Sequence, residues 1–110
     1  MKEEQASSAL KIVPRERAFY FFTSIGNYTG ESAASLKEFL GKIREVSLQS
    51  LEFHLYRGDF DRWIAEVLQD EELANEIKRL QKSGLSGDEL RNQLHMIVAR
   101  HLASLAETSP

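Results

Sequence analysis

The stretch Ser50–Ile64, SLEFHLYRGDFDRWI, constrains the fold more than any other part of the chain. Ser47 can cap a helix in which Leu48, Leu51, Leu55 and Tyr56 share a side and Phe53 widens it. Gly58 suits the left-handed position that ends a helix, and Asp59 suits the N-cap of the next one. Beyond the corner Arg57-Gly58-Asp59, residues Phe60, Trp63, Ile64, Val67 and Leu68 form a second apolar stripe. Two helices joined so tightly must bury their stripes in one core.

The rest of the chain can be read outward from that corner. Ser35-Leu36-Lys37-Glu38 has capping-box spacing, and Leu36, Phe39, Leu40, Ile43 and Val46 follow on one helical stripe. Gly41 inside this helix costs up to about 1 kcal/mol relative to alanine, which suggests a close backbone there. Asp70-Glu71-Glu72 supplies a cap and first-turn acids for a helix carrying Leu73, Ala74, Ile77 and Leu80, ended by Gly84. Ser86-Gly87-Asp88-Glu89 is a second capping box, opening the longest helix with Leu90, Leu94, Ile97, Val98, His101, Leu102 and Leu105 on one side.

The N-terminal third is less regular. Residues 1–9 are polar and aperiodic and read as a disordered tail, as do residues 106–110. Pro14 before Arg15-Glu16-Arg17 can open a helix or turn a hairpin. In Ala18-Phe19-Tyr20-Phe21-Phe22 the aromatics fall at every step, so neither helical nor strand period stands out, and a short buried helix is the first reading. The alternative is a hairpin pairing Leu10–Val13 with Phe19–Phe22, and Gly26-Asn27-Tyr28-Thr29-Gly30 reads as a loop. The expected fold is all-α: one compact domain over residues 10–105, an orthogonal bundle of five or six short helices, with a small N-terminal β-hairpin as the alternative.

Composition narrows the function classes. At 110 residues the chain is long enough for one independent core. The absence of cysteine excludes disulfides, cysteine nucleophiles and zinc–cysteine sites, and fits a cytoplasmic address. The first residues lack the apolar core of a signal peptide and no run is long enough to span a bilayer, so no membrane association is expected. A net charge of −3 sets nucleic acid aside, and the densest basic group, Lys78, Arg79 and Lys82, reads as the cationic end of a helix.

Among polar residues, His54, Arg57 and Asp59 stand within a turn and a corner of each other and suggest an acid–base pair or an anion site. Helical phasing turns His54 and Arg57 away from the Leu48–Leu51–Leu55 face, favouring a solvent-facing or structural role, with Asp59 as a cap. Glu52 lies within the apolar face and would need Arg57 or Arg62 as a partner. His101, in the last helix's apolar stripe, reads as a hydrogen-bonded core histidine. His95 and His101 are six apart, not the i, i+4 of a helical zinc site, so no metal and no cofactor is expected. Arg57-Gly58-Asp59 matches an adhesion tripeptide, a use that needs an extracellular loop. The Gly26–Gly30 loop has Glu31 where a phosphate loop needs lysine, leaving Tyr28 as its candidate binding residue.

The aromatic run Phe19–Phe22, Thr29-Gly30, Ser35-Leu36-Lys37-Glu38-Phe39 and the segment Phe53–Ile64 together resemble a domain family of unknown function found in archaea and bacteria. The likeness spans roughly residues 18–105, with Phe-His-x-x-Arg-Gly-Asp-Phe-x-x-Trp-Ile as its most specific part, and implies no activity. The expected function is a non-enzymatic helical module that binds or regulates a partner protein, or a second copy of itself, through the His54–Trp63 corner or the Tyr28–Gly30 loop. The alternative is a small-molecule-binding or catalytic domain using Glu52, His54, Arg57 and Tyr28, with no catalytic residue assigned.

Overall fold

A computed structural model describes residues 10–108. After a single 3-10 turn at Arg15–Arg17, an antiparallel hairpin joins β1 (Phe19–Ser24) to β2 (Asn27–Ala33). Five helices follow: α1 (Leu36–Glu45), α2 (Leu48–Arg57), α3 (Asp59–Glu66), α4 (Glu71–Gln81) and α5 (Gly87–Thr108). The fold is therefore mostly helical but not all-α, and the aromatic run is a strand rather than a short helix.

The strand hides its period because both of its faces are aromatic. Phe19 and Phe21 are buried on one side, while Tyr20 and Phe22 are half-buried on the other. Its partner is also not the expected one. Leu10–Val13 contributes only the Val13 N–H, donated to Ala34 O at 2.7 Å, whereas the supposed loop around Tyr28 is the second strand. The register pairs Phe19 with Ala33, Tyr20 with Ser32, Phe22 with Tyr28 and Ser24 with Asn27. Between the second and third pairs β2 carries extra residues, and Gly30 there takes φ +91°. The Thr29 hydroxyl fills the gap in the ladder by donating to Phe21 O at 2.7 Å.

A two-stranded hairpin is marginal alone and needs support from the helices. Phe19 packs on Phe21 and Phe60, with ring centroids 4.9 and 5.1 Å away, and Phe39 packs on Phe60 at 5.1 Å. The indole N–H of Trp63 donates to Arg17 O at 2.8 Å, and Lys42 reaches Glu31 at 2.6 Å. Burying each of these aromatic side chains contributes roughly 1.5–3 kcal/mol.

The helix starts follow the sequence closely. Ser35 accepts from the Glu38 N–H, Ser47 from the Ser50 N–H and Asp70 from the Leu73 N–H, caps worth about 1 kcal/mol each. Glu38 reaches back to the Ala34 N–H at 2.9 Å, one residue before the expected partner. Gly58 ends α2 at φ +79° as its position predicts, and it also stands at the N-cap of α3, so Asp59 opens that helix rather than capping it.

Polar tethers from Arg91 and His101 help hold α5 to the others. Arg91 donates to Arg44 O and Val46 O, closing the carbonyl end of α1. Asp70 joins His101 at 2.6 Å with both side chains 6% exposed, which gives His101 the core role expected of it. Helix α5 also runs past Leu105, through residues that carry no apolar pattern and read as tail in the sequence. The tail at 1–9 and the last two residues lie outside the described part of the chain. No helix among the described residues is long and apolar enough to cross a membrane.

Gly41 is a correction. Nothing lies within 4 Å of where its Cβ would stand and the residue is exposed, so no backbone passes close. Gly41→Ala is accordingly expected to raise the unfolding free energy by about 0.5–1 kcal/mol in urea melts.

The Asp70–His101 pair makes a second prediction. The Asp70 hydrogen bond holds His101 above the usual imidazole range against the lowering effect of burial, with Glu72 and Glu76 adding to the rise. Burial alone would raise Asp70, but hydrogen bonds from His101 and the Leu73 N–H outweigh it and hold the carboxyl low. The histidine's contribution is complete below about pH 6.5 and fades as pH rises through its raised folded value; the aspartate's is complete above about pH 4 and fades in more acid solution. Asp70→Ala should cost about 3 kcal/mol between those limits, and Asp70→Asn, which keeps the cap, about 1 kcal/mol less.

Candidate functional site

Helix α2 ends in His54-Leu55-Tyr56-Arg57, and the left-handed Gly58 turns the chain so sharply that Asp59 comes back over the end of the helix. His54 Nδ1 then lies 2.8 Å from Asp59 Oδ2, and His54 Nε2 lies 2.8 Å from the backbone nitrogen of Phe22 in β1. A backbone amide can only donate, so Nε2 accepts and the proton of the neutral ring sits on Nδ1, facing Asp59. The imidazole is a bridge from hairpin to helix corner with both nitrogens engaged.

The phasing that sent His54 to solvent is therefore wrong: the residue is 4% exposed. Helix α2 is buried on two sides, because β1 covers the face that carries His54 while the other helices cover Leu51 and Leu55. Burial pushes the His54 pKa down and nearby Arg57 adds to this, while Asp59 opposes both without cancelling them. The ring stays neutral where a solvent-exposed histidine would begin to protonate.

Asp59 gathers more than the histidine. Arg57 Nε stands 3.2 Å from Asp59 Oδ2, and Arg62 Nη1 stands 3.7 Å from Oδ1. The Arg57 guanidinium also lies over the Phe53 ring, 4.8 Å from its centroid. Both arginines remain open to solvent, with side chains 47% and 60% exposed.

These groups form one wall of a groove of about 470 Å³ between the hairpin and the α2–α3 corner. Its apolar lining comes from Tyr20, Phe22, Ile25, Phe53, Trp63 and Val67, and Glu66 stands one helical turn beyond Arg62. The volume falls within the range of sites that bind organic ligands or a few side chains of a partner.

Of the residues singled out in the sequence, the structure brings His54 and Arg57 together on Asp59 and leaves Glu52 and Tyr28 outside the groove lining. Glu52 is half-buried, and its carboxylate accepts the Gly87 N–H at 2.8 Å, opening α5 where a Ser86–Glu89 box was expected. Its partner is thus a backbone amide, since Arg57 and Arg62 are both turned to Asp59. Tyr28 is 47% exposed on the outer face of the hairpin, its ring 5.8 Å from Tyr20 and 5.4 Å from Phe22, both of which line the groove.

The sequence placed Arg62 and Trp63 only within the His54–Trp63 corner, without a role at the site, and gave no sign of Phe22 and Ile25 as its members. The spacing of His54, Arg57 and Asp59 around a glycine was visible, but the backbone amide that completes the His54 bridge comes from 32 residues earlier.

The chain matches the family described as "Family of unknown function (DUF5752)" over residues 16–109. It belongs to that family. The matched span takes in the hairpin and all five helices, hence both walls of the groove. No curated protein and no solved structure matches the chain.

Replacing His54 should be costly and the cost should depend on pH. His54→Phe leaves the Phe22 N–H without its acceptor and takes the buried ring N–H away from Asp59, a loss of about 3 kcal/mol at pH 8. Because the folded pKa is lowered, the contribution is present above about pH 6.5 and lost as pH falls. The difference between wild type and His54→Phe, measured by urea unfolding, is expected to shrink on going from pH 8 to pH 5.

Proposed function

We propose that the domain is a non-enzymatic cytoplasmic module that binds a partner protein through the groove and the outer face of the hairpin. One observation carries the reading: Tyr20, Phe22 and Tyr28 form a continuous aromatic strip on the hairpin, with Ile25 at its tip 85% exposed, and the strip runs directly into the groove. Among the described residues no element covers it. Apolar strips rimmed by charge are the usual signature of a protein contact surface.

The alternative of a catalytic or small-molecule site would use His54 as its base. The double engagement of that ring weighs against it, since accepting a proton at Nε2 requires giving up the Phe22 bond. Glu52, the other candidate acid, faces α5 instead. The absence of cysteine supports the cytoplasmic address.

The test is site-specific cross-linking in cells, with a photoreactive amino acid in place of Ile25 and, as control, in place of Lys37, exposed on α1. A discrete protein adduct at Ile25, absent at Lys37 and lost on adding Tyr28→Lys, is expected. Adducts at neither site, or equally at both, would remove the proposal.

A further inference from the structure

We infer that the groove is a docking site for an extended segment of a partner protein that carries one acidic residue, with an apolar side chain seated between Phe22 and Trp63 and the neighbouring aspartate or glutamate held by Arg57 and Arg62. This rests on the protein-binding reading above and adds the chemistry of the partner.

Arg57 stands between a carboxylate and an aromatic ring. Its Nε lies 3.2 Å from Asp59 Oδ2 and its guanidinium lies over the Phe53 ring, while 47% of the side chain is open to solvent. A guanidinium resting on a ring and open to solvent can take a carboxylate in a two-point contact. Arg62 approaches the same Asp59 from α3, so its charge is held at the same wall.

Charge then selects the type of anion. Two guanidiniums face Asp59 and the bridged imidazole is neutral, so the Arg57–Arg62 end of the groove carries one positive charge in excess, which Glu66, one turn farther along α3, balances over the groove as a whole. That local excess matches a single carboxylate rather than a phosphate, which carries close to two negative charges at neutral pH. Glu66 reinforces the choice by opposing a second negative charge farther along the groove. The chain as a whole is acidic, so two exposed arginines side by side are a local departure from its background.

An extended segment fits better than a compact molecule because the apolar lining continues out of the groove through Tyr20 and Phe22 to Tyr28 and Ile25. The arginines stand exposed at the rim, where a chain can pass on both sides of the bound residue. A side-chain carboxylate suits that position.

The experiment is an NMR titration of the full chain, observing the Trp63 indole N–H and the Arg57 Nε–H. Three peptide probes are compared: the pentapeptide Ala-Phe-Glu-Val-Ala blocked at both ends, the same pentapeptide with glutamine for glutamate, and the dipeptide Ala-Phe blocked at its N-terminus with a free C-terminal carboxylate. Saturable shifts are expected with the glutamate peptide, with at least tenfold weaker binding of the glutamine peptide and of the C-terminal probe. Arg57→Gln should weaken the glutamate peptide about tenfold and leave the glutamine peptide unchanged. Arg62→Gln, which spares the contact with Phe53, should show the same pattern at smaller size if Arg57→Gln perturbs the fold.

Equal binding of the glutamate and glutamine peptides would overturn the acidic preference while leaving the groove as a contact surface. Preference for the free C-terminus would overturn the choice of a side-chain carboxylate. No shift with any probe, alongside a cross-link from Ile25, would overturn the inference alone; no shift and no cross-link would overturn both it and the reading it rests on.

Discussion

The imidazole of His54 is the point on which the hairpin, the helix corner and the groove all depend. It accepts the Phe22 N–H and donates to Asp59, joining a strand to the first residue of α3 through one ring. Because both bonds are made by the neutral ring, burial supports the arrangement instead of opposing it: the environment that lowers the pKa also keeps Nε2 free to accept. Asp59, oriented by this contact, in turn faces Arg57 and Arg62. One buried hydrogen-bonded group thus sets the carboxylate that two exposed arginines share.

The two buried histidines do opposite electrostatic work. His101 is paired with a carboxylate in a setting that favours its charged form, and it ties the far half of α5 to the start of α4. His54 also faces a carboxylate, yet desolvation by the aromatic cluster of Phe19, Phe21, Phe53 and Phe60 wins there. What meets the second nitrogen works in the same direction: the backbone donor at Nε2 of His54 is compatible only with the neutral ring, whereas Nδ1 of His101 lies 3.8 Å from the Glu72 carboxylate.

The helical part of the fold was legible from local rules, because each rule is satisfied within a few residues. Ser35, Ser47 and Asp70 cap the helices they precede, and Gly58 takes the left-handed turn that no other residue adopts as easily. The hairpin was legible only as an alternative and with the wrong partner strand, since a strand with aromatics on both faces shows no alternation and its partner is a glycine-broken, largely exposed segment. The misplacement of His54 has the same origin. Without β1 in place, the side of α2 that carries His54 has nothing to pack against, and phasing alone assigns it to solvent. Glu52 failed for a related reason: its partner is the Gly87 backbone amide, which no residue pattern announces.

The central claim is that His54 is a neutral bridge that builds the groove wall, and its most direct test is a scalar coupling across the hydrogen bond between the Phe22 amide nitrogen and His54 Nε2. At neutral pH the account predicts a resolved nitrogen–nitrogen coupling between these two atoms, with the ring proton located on Nδ1. A protonated Nε2, or no coupling while the neighbouring strand amides remain protected, would contradict it.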